Sequence, residues 1–497
     1  MDNHSLFRII RNNQIGILIV LWAFIVLLFM SPDSPFHGPY MRTDSACFFM
    51  GGKALMNGLM PYVDFADSKG PLLWLIYGVG YLISPTNYFG VFVVSVFFYS
   101  TSFYYNYKIA VIFLHDKLRA LAASFLMAFA YFGFDFHLEV RVEDFALAFV
   151  SVALYKLFKM YYTEDDNSKG GLLVIGACFS ALLLMKFTIA AMYGIIILLA
   201  LWYQMRKRKL FSAFLWMTLG AVLFALPFVI YHVATNTFQP FINEYFFDTI
   251  STAPNMTAYW SGNVVDWTLR IVFVQMLLMG DLFFVLIFIG GIALGLQLEK
   301  YRWMPLVIGA FFYFLASYHF GGHYYYGICT IFILYLFIAI LLTMRKSFAP
   351  PNILMFLSFS LVWGICMNRY GKLSDYVIWH EPIDKIHYEK ISSIISEKKK
   401  PKVLYYKLLD YGFGLASEPL PAGKYWMYQN GCSPQMTQEH DALLRSGRAD
   451  YIIMNKRAKG EDVTIAELEG MNYQQCYECS YYVGGTRVEL ILYKKKG

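Results

Sequence analysis

The stretch from Thr43 to Leu72, TDSACFFMGGKALMNGLMPYVDFADSKGPL, gathers Asp44, Asp64 and Asp67 with Lys69 in one loop. A carboxylate ionised near neutral pH can take a proton from an attacking hydroxyl, which makes Asp44 a candidate general base. Asp44 also stands at the start of a helical-looking segment, where a Thr-Asp pair caps orphan amides. One oxygen suffices for capping, so the two roles can coexist. Lys69 precedes Gly70-Pro71 and an apolar run. Such a lysine either snorkels to water and headgroups or presents a compact point charge to the phosphate of a lipid-linked substrate. The three aspartates could also converge on a divalent metal, but three oxygen ligands from one loop do not define a site, and the metal question stays open.

A second group starts at Arg141, Glu143 and Asp144 in LEVRVED, at the opening of a hydrophobic stretch. Acids suit a helix N-terminus electrostatically, yet this density of charge at the edge of hydrocarbon is costly and tends to mark pathways or sites. Lys186 stands between two short apolar stretches and could hold a phosphate as Lys69 could. His323 and Tyr324, after Gly321-Gly322, carry donors that could reach a phosphate or orient a sugar. Interfacial aromatic belts are the competing explanation for the tyrosine run.

The elements that must position these residues are membrane helices. Of the 497 residues 58% are hydrophobic, 19% aromatic and 15% charged, with a mean hydropathy of +0.47. That is the balance of a polytopic membrane protein rather than a soluble one. The net charge of +7 follows from the basic residues that membrane proteins gather on cytoplasmic loops, and no nucleic-acid motif is present. Residues 15–30, preceded by Arg8 and Arg11, have no small-x-small cleavage site after them and read as a retained first helix with a cytoplasmic N-terminus. Residues 71–83 are too few to span about 30 Å of hydrocarbon and read as interfacial.

With that run at the outer interface, the later spans fall near 87–114, 118–134, 143–160, 171–185, 188–204, 210–232, 267–296, 304–318, 324–343 and 351–368. Every basic cluster between spans then shares the side of Arg8 and Arg11: Lys117 and Arg119; Lys156, Lys159 and Lys169; Arg206 to Lys209; Lys300 and Arg302; Arg345 and Lys346. The expectation is about eleven transmembrane helices in a mostly α chain, with interfacial helices in an extracytoplasmic first loop. Both polar groups described above land on the extracytoplasmic face.

From about residue 374 the composition becomes that of a soluble domain, so the chain divides as 1–373 and 374–497. KVLYY (402–406), YIIM (451–454) and VELILY (488–493) read as strands, with helical stretches at 384–396 and 439–445, giving a small extracytoplasmic α/β domain. Cys476-x-x-Cys479 alone is a weak zinc signal, and a disulfide among Cys432, Cys476 and Cys479 stays open.

Asp44, then Gly58, Pro61, Tyr62 and Asp64 (G-x-x-P-Y-x-D), then Lys69, Gly70, Pro71 and Leu72 resemble the first extracytoplasmic loop of the GT-C glycosyltransferases related to protein O-mannosyltransferases and lipid A aminoarabinose transferases. Arg141 to Phe149, the ending at Lys186, and His323-Tyr324 extend the resemblance, which covers about residues 1–370 in architecture. Departures are Ser45-Ala46 in place of an acidic neighbour to Asp44, and no proline in HYYYGICTIF.

The resemblance implies an enzyme of the bacterial cytoplasmic membrane that moves a sugar from a polyprenyl-phosphate donor to an acceptor at the outer face, with inversion. Asp44 would be the base; Lys69, Lys186, His323 and Tyr324 would bind the donor phosphate; Asp64, Asp67, Arg141, Glu143 and Asp144 would contact sugar or acceptor. Membrane lipid and an acceptor lipid, glycan or protein are the implied partners; no cofactor is certain. A transporter or flippase of a lipid-linked saccharide is the reading from another class. Against it stand polar residues at one interface rather than the midplane and the absence of repeated halves. A ligase or polymerase of lipid-linked glycans would keep the side of reaction and change the donor.

Overall fold

The computed structural model describes residues 13–31, 33–36, 43–132, 140–163, 168–248, 282–318, 325–344, 364, 385–428, 434–456, 468, 470–483 and 486–496. The described residues are mostly helical, with one small sheet among them. It folds as two compact units: Met1–Ser31, Ser95–Pro227 and Trp260–Tyr370 form one, and Pro32–Val94, Phe228–Tyr259 and Gly371–Gly497 the other.

In chain order the helices are α1 (Gln14–Met30), α2 (Thr43–Met56), α3 (Pro71–Ile83), α4 (Phe89–Leu114), α5 (Lys117–Phe132), α6 (Val142–Tyr162), α7 (Ser168–Leu183), α8 (Phe187–Arg206) and α9 (Leu210–Ala234). Then follow α10 (Leu282–Gln297), α11 (Met304–Tyr318), α12 (Tyr326–Thr343, with a 3-10 turn at Thr330–Phe332), α13 (Lys385–Ile395) and α14 (Pro434–Arg445). Four of the described helices, α6, α8, α9 and α12, are long and apolar enough to cross a membrane. Helix α4 has the length, at 26 residues, but carries Ser102 and Asn106, which turn inward rather than to lipid. The expected span at 267–296 is represented by α10, and the one at 351–368 lies outside the described residues.

Within the first unit α6 packs against α7 and α8, and α10 against α11 and α12. Ser102 Oγ lies 2.6 Å from the Tyr131 hydroxyl and 2.8 Å from Ser151 Oγ, and Asn106 donates to the same tyrosine at 2.6 Å. Such bonds tie helices together where no water competes. Arg119, buried, donates from one guanidinium nitrogen to the carbonyls of Leu341 and Met344 at 2.9 and 3.0 Å. It thereby satisfies and neutralises the C-terminus of α12. Helices α7 and α9 meet backbone to backbone, since a Cβ on Gly176 would lie 1.9 Å from the Met217 carbonyl oxygen. The remainder of α9 is apolar and largely uncovered, with Phe211 81% exposed, the surface expected of a lipid-facing helix.

In the second unit α2 and α3 cross at glycines, where a Cβ on Gly52 would lie 2.5 Å from the Gly78 nitrogen. Pro71 opens α3 after Gly70, the position at which a missing N–H costs nothing. The expected strands occur as β1 (Lys402–Tyr406), β3 (Tyr451–Asn455) and β5 (Thr486–Lys495), joined by β2 (Leu420–Pro421) and β4 (Tyr473–Val483) in the order β2-β1-β3-β5-β4. β1 is parallel to β2 and β3, while β5 is antiparallel to β3 and β4. Leu404, Tyr406, Ile452, Ile491 and Tyr493 pack with Leu443 and Leu444 of α14 as the core. The first loop is sewn to this chain: Ala66 N–H donates to the Lys424 carbonyl at 3.0 Å, Lys400 Nζ to Asn57 Oδ1 at 2.8 Å, and the Cys47 thiol to Met427 Sδ at 3.0 Å.

Candidate active site

Asp44 occupies the first turn of α2, half-buried. One turn along the same face is Phe48, and Lys69 Nζ lies 5.6 Å from the centre of its ring. Residues four apart on a helix are stacked neighbours, so the candidate base and the candidate phosphate-binding cation share one helical face. Lys69 is held from several sides. Its ammonium donates to Ser68 Oγ at 2.9 Å and lies 3.7 Å from Asp67 Oδ1, and its carbonyl accepts the Tyr62 hydroxyl at 3.0 Å. Asp67 in turn accepts the Ser68 N–H at 2.5 Å.

The Cys47 thiol reports the same convergence electrostatically. Burial holds its pKa well above the usual range, and the fields of Asp410, Asp67 and Asp44 add to the effect. Asp64 points elsewhere: its carboxylate accepts the Met60 N–H at 2.7 Å, and it lines a cleft with residues of the sheet domain. Among the described residues, Asp44, Asp64 and Asp67 are not gathered into a group that could hold a metal ion.

Tyr62 fixes this loop. Its φ of +66° is a conformation that a bulky residue adopts only when its surroundings enforce it. The ring is enclosed by Trp74, Phe241, His232 and Tyr245 at centroid distances of 4.9, 5.4, 5.8 and 6.4 Å.

The first unit holds the other predicted group. Glu143 and Asp144 are 2% and 3% exposed in the first turn of α6, and Lys186, 7% exposed, is the N-cap of α8. Lys186 Nζ donates to Glu143 Oε1 at 2.8 Å and sits 3.9 Å from the centre of the Tyr325 ring. The ion pair joins two helix N-termini, and the aromatic face adds a cation–π contact in a dry setting. Asp144 accepts the Arg141 N–H at 2.8 Å, closing the start of α6, and also the hydroxyl of Tyr99. His323 and Tyr324 lie outside the described residues.

Several participants carry no sequence signal of their own. Tyr99 is one tyrosine in an aromatic helix. Tyr325 was visible only as part of a run. Glu244 is one of two acids in the aromatic stretch INEYFFD, yet it receives the Lys424 ammonium and, at 2.7 Å, the Tyr425 hydroxyl. Lys53 of α2 is fully buried, and loss of solvation lowers its pKa to about 7 against the opposing pull of Asp410 and Glu418. Asp410, buried as well, has its pKa raised by the same loss of solvation, although Gly412 N–H at 2.7 Å and Trp426 Nε1 at 3.1 Å donate to it.

Residues 68–232 match the family model described as dolichyl-phosphate-mannose-protein mannosyltransferase. That segment holds Lys69, Arg141, Glu143, Asp144 and Lys186, and begins after Asp44. Among solved structures the fold is similar to ArnT from Cupriavidus metallidurans bound to undecaprenyl phosphate, with a TM-score of 0.57 at 12% identity over 96% of this chain and 97% of that one. ArnT from the same organism in the apo state gives a TM-score of 0.58 at 13% identity over the same shares. By sequence, no curated protein matches the chain.

Proposed function

We propose, from the premise that this chain has the GT-C glycosyltransferase fold, that it transfers a sugar from a polyprenyl-phosphate donor to an acceptor hydroxyl. The observation that carries the reading is the placement of Asp44 and Lys69 over one face of α2, linked through Phe48.

In the reaction Asp44 takes the proton of the acceptor hydroxyl as its oxygen bonds to the anomeric carbon. The bond from that carbon to the donor phosphate oxygen breaks, and the polyprenyl phosphate leaves with an added negative charge. Lys69, confined by Ser68, Asp67 and the Tyr62 hydroxyl, stabilises that growing charge from a preorganised position. A single displacement from the face opposite the phosphate inverts the anomeric centre. Lys186, His323 and Tyr324 are further candidates for the donor phosphate. Lys186 enters with its charge already matched by Glu143, so its share is smaller than that of Lys69. Asp64, Asp67, Arg141, Glu143 and Asp144 are the candidates for contacts to sugar or acceptor.

The reading places the chemistry at the outer face of a bacterial cytoplasmic membrane, crossed about eleven times, with the N-terminus inside and residues 374–497 outside. The test is incubation of the purified protein with labelled polyprenyl-phosphate sugars and a membrane extract, with and without Asp44→Asn. Label should appear in an acceptor lipid, glycan or protein, and the asparagine variant should lose at least a hundredfold in rate, within the usual contribution of a general base. Vectorial movement of the donor without a glycosidic product, or full activity of the variant, refutes the proposal.

A further inference from the structure

In the second unit a cleft of about 570 Å³ opens between the first loop and the sheet domain, bounded by Asp64, Lys402, Tyr425, Glu439 and Arg448. Its volume is that of a small-molecule site. From its lining we infer that it binds an acidic saccharide. On the function proposed above, that saccharide is part of the acceptor.

Charge is distributed unevenly in it. Lys424, also in the lining, is matched by Glu244, which takes the Tyr425 hydroxyl too. Asp64 has one oxygen on the Met60 N–H at 2.7 Å, which pins the carboxylate in the wall. Lys402 and Arg448 differ from these. Both are exposed, and among the described residues their side chains form no ion pair or hydrogen bond; their backbone N–H groups donate to Asp450 Oδ2 at 2.7 Å and Ser446 Oγ at 3.3 Å, and the Lys402 carbonyl accepts the Asp450 N–H at 2.7 Å. The backbone is therefore fixed while the two cations are left to a ligand.

An ammonium and a guanidinium fork lining one cleft suit a carboxylate or phosphate substituent. The carboxylates of Asp64 and Glu439 suit hydroxyl hydrogens, which they can only accept. Val63, 45% exposed, supplies apolar surface for a ring face together with Leu59. Acidic group, hydroxyls and apolar ring faces occur together in uronate-bearing or phosphorylated glycans. A neutral glycan would leave the two cations unmatched, and an anion without rings would leave the apolar wall empty.

The experiment measures binding of trigalacturonate, maltotriose and inorganic phosphate to the full-length protein in nanodiscs, alongside binding of undecaprenyl phosphate. The double variant Lys402→Ala with Arg448→Ala alters exposed side chains only. Trigalacturonate should bind at least tenfold more tightly than maltotriose, the double variant should lose at least tenfold for trigalacturonate, and undecaprenyl phosphate should bind both proteins alike. Equal binding of trigalacturonate to wild type and variant, or none to either, overturns the inference. Phosphate binding as tightly as trigalacturonate overturns its saccharide part. Loss of undecaprenyl phosphate binding by the wild type would instead count against the proposed function.

Discussion

Replacing Lys186 with Met keeps the length of the side chain and removes its charge, which leaves Glu143 as an unpaired carboxylate 2% exposed. Breaking a buried pair by removing one partner costs about 3–5 kcal/mol. At about 1.4 kcal/mol per tenfold, that is roughly a 150- to 4,000-fold fall in the ratio of folded to unfolded protein. Glu143→Gln should cost less, because the amide oxygen can still accept from Lys186. The double variant removes both charges and should recover most of the loss, with a coupling of about 0.5–3 kcal/mol. It should not recover all of it, since the contact of Lys186 with the Tyr325 ring at 3.9 Å is gone. A cation–π contact out of water is worth about 2 kcal/mol. The assay is heating in detergent, followed by the fraction that remains monodisperse, a readout independent of the phosphate-binding role proposed for Lys186. If the single variants survive heating as wild type does, or the double variant is no better than Lys186→Met, the pair does not hold the N-termini of α6 and α8 together.

Lys69→Ala should weaken binding of polyprenyl phosphate by at least tenfold while leaving heat stability close to wild type, and unchanged donor dependence would remove Lys69 from the phosphate site. Lys53→Met probes the buried cation of α2 through pH. The folded pKa, about 7, lies below the unfolded value of about 10.4, so between these values the unfolded chain binds the additional proton and wild-type stability rises with pH. The advantage of the methionine variant in unfolding midpoint should accordingly shrink as pH goes from 7 to 10. A constant difference across that window would mean that Lys53 keeps an ordinary pKa.

Much of the fold was legible because its signals are local. Apolar runs bounded by charge located α1 and α4 to α9 within a few residues, and Gly70-Pro71 marked the start of α3 through the one residue whose missing N–H suits that position. Strands β1, β3 and β5 announced themselves as β-branched and aromatic runs. β4 did not, because YQQCYECSYYV mixes Gln, Glu and Ser into an edge strand that pairs on one side only. The site was half legible for a related reason. Asp44, Lys69, Glu143 and Lys186 are charges in apolar surroundings, and charge there needs a reason. Tyr325 against Lys186, Tyr99 against Asp144 and Asp410 near Lys53 are ordinary residue types brought near by folding, and no spacing rule links Lys53 to Asp410 or Cys47 to Met427.

The loop that carries Lys69 is positioned by distant chain rather than by its own sequence. Residues 58–69 form almost no regular structure: an isolated bridge joins Pro61 to Phe65, and Tyr62 N–H donates to the Phe65 carbonyl at 2.6 Å. So small a hydrogen-bonded turn cannot by itself hold a tyrosine at a φ of +66°, which costs of order 1–3 kcal/mol. What holds it is the aromatic enclosure built by Trp74 from α3, by His232 from the last turn of α9, and by Phe241 and Tyr245 from the chain after it. The backbone bond from Ala66 to Lys424 and the pairing of Lys424 with Glu244 close the loop from the sheet side. Tyr62 then passes this constraint to the Lys69 carbonyl through its hydroxyl. A cation that must meet a developing phosphate charge without reorganising needs such a fixed backbone, and here three separate stretches of the sequence supply it.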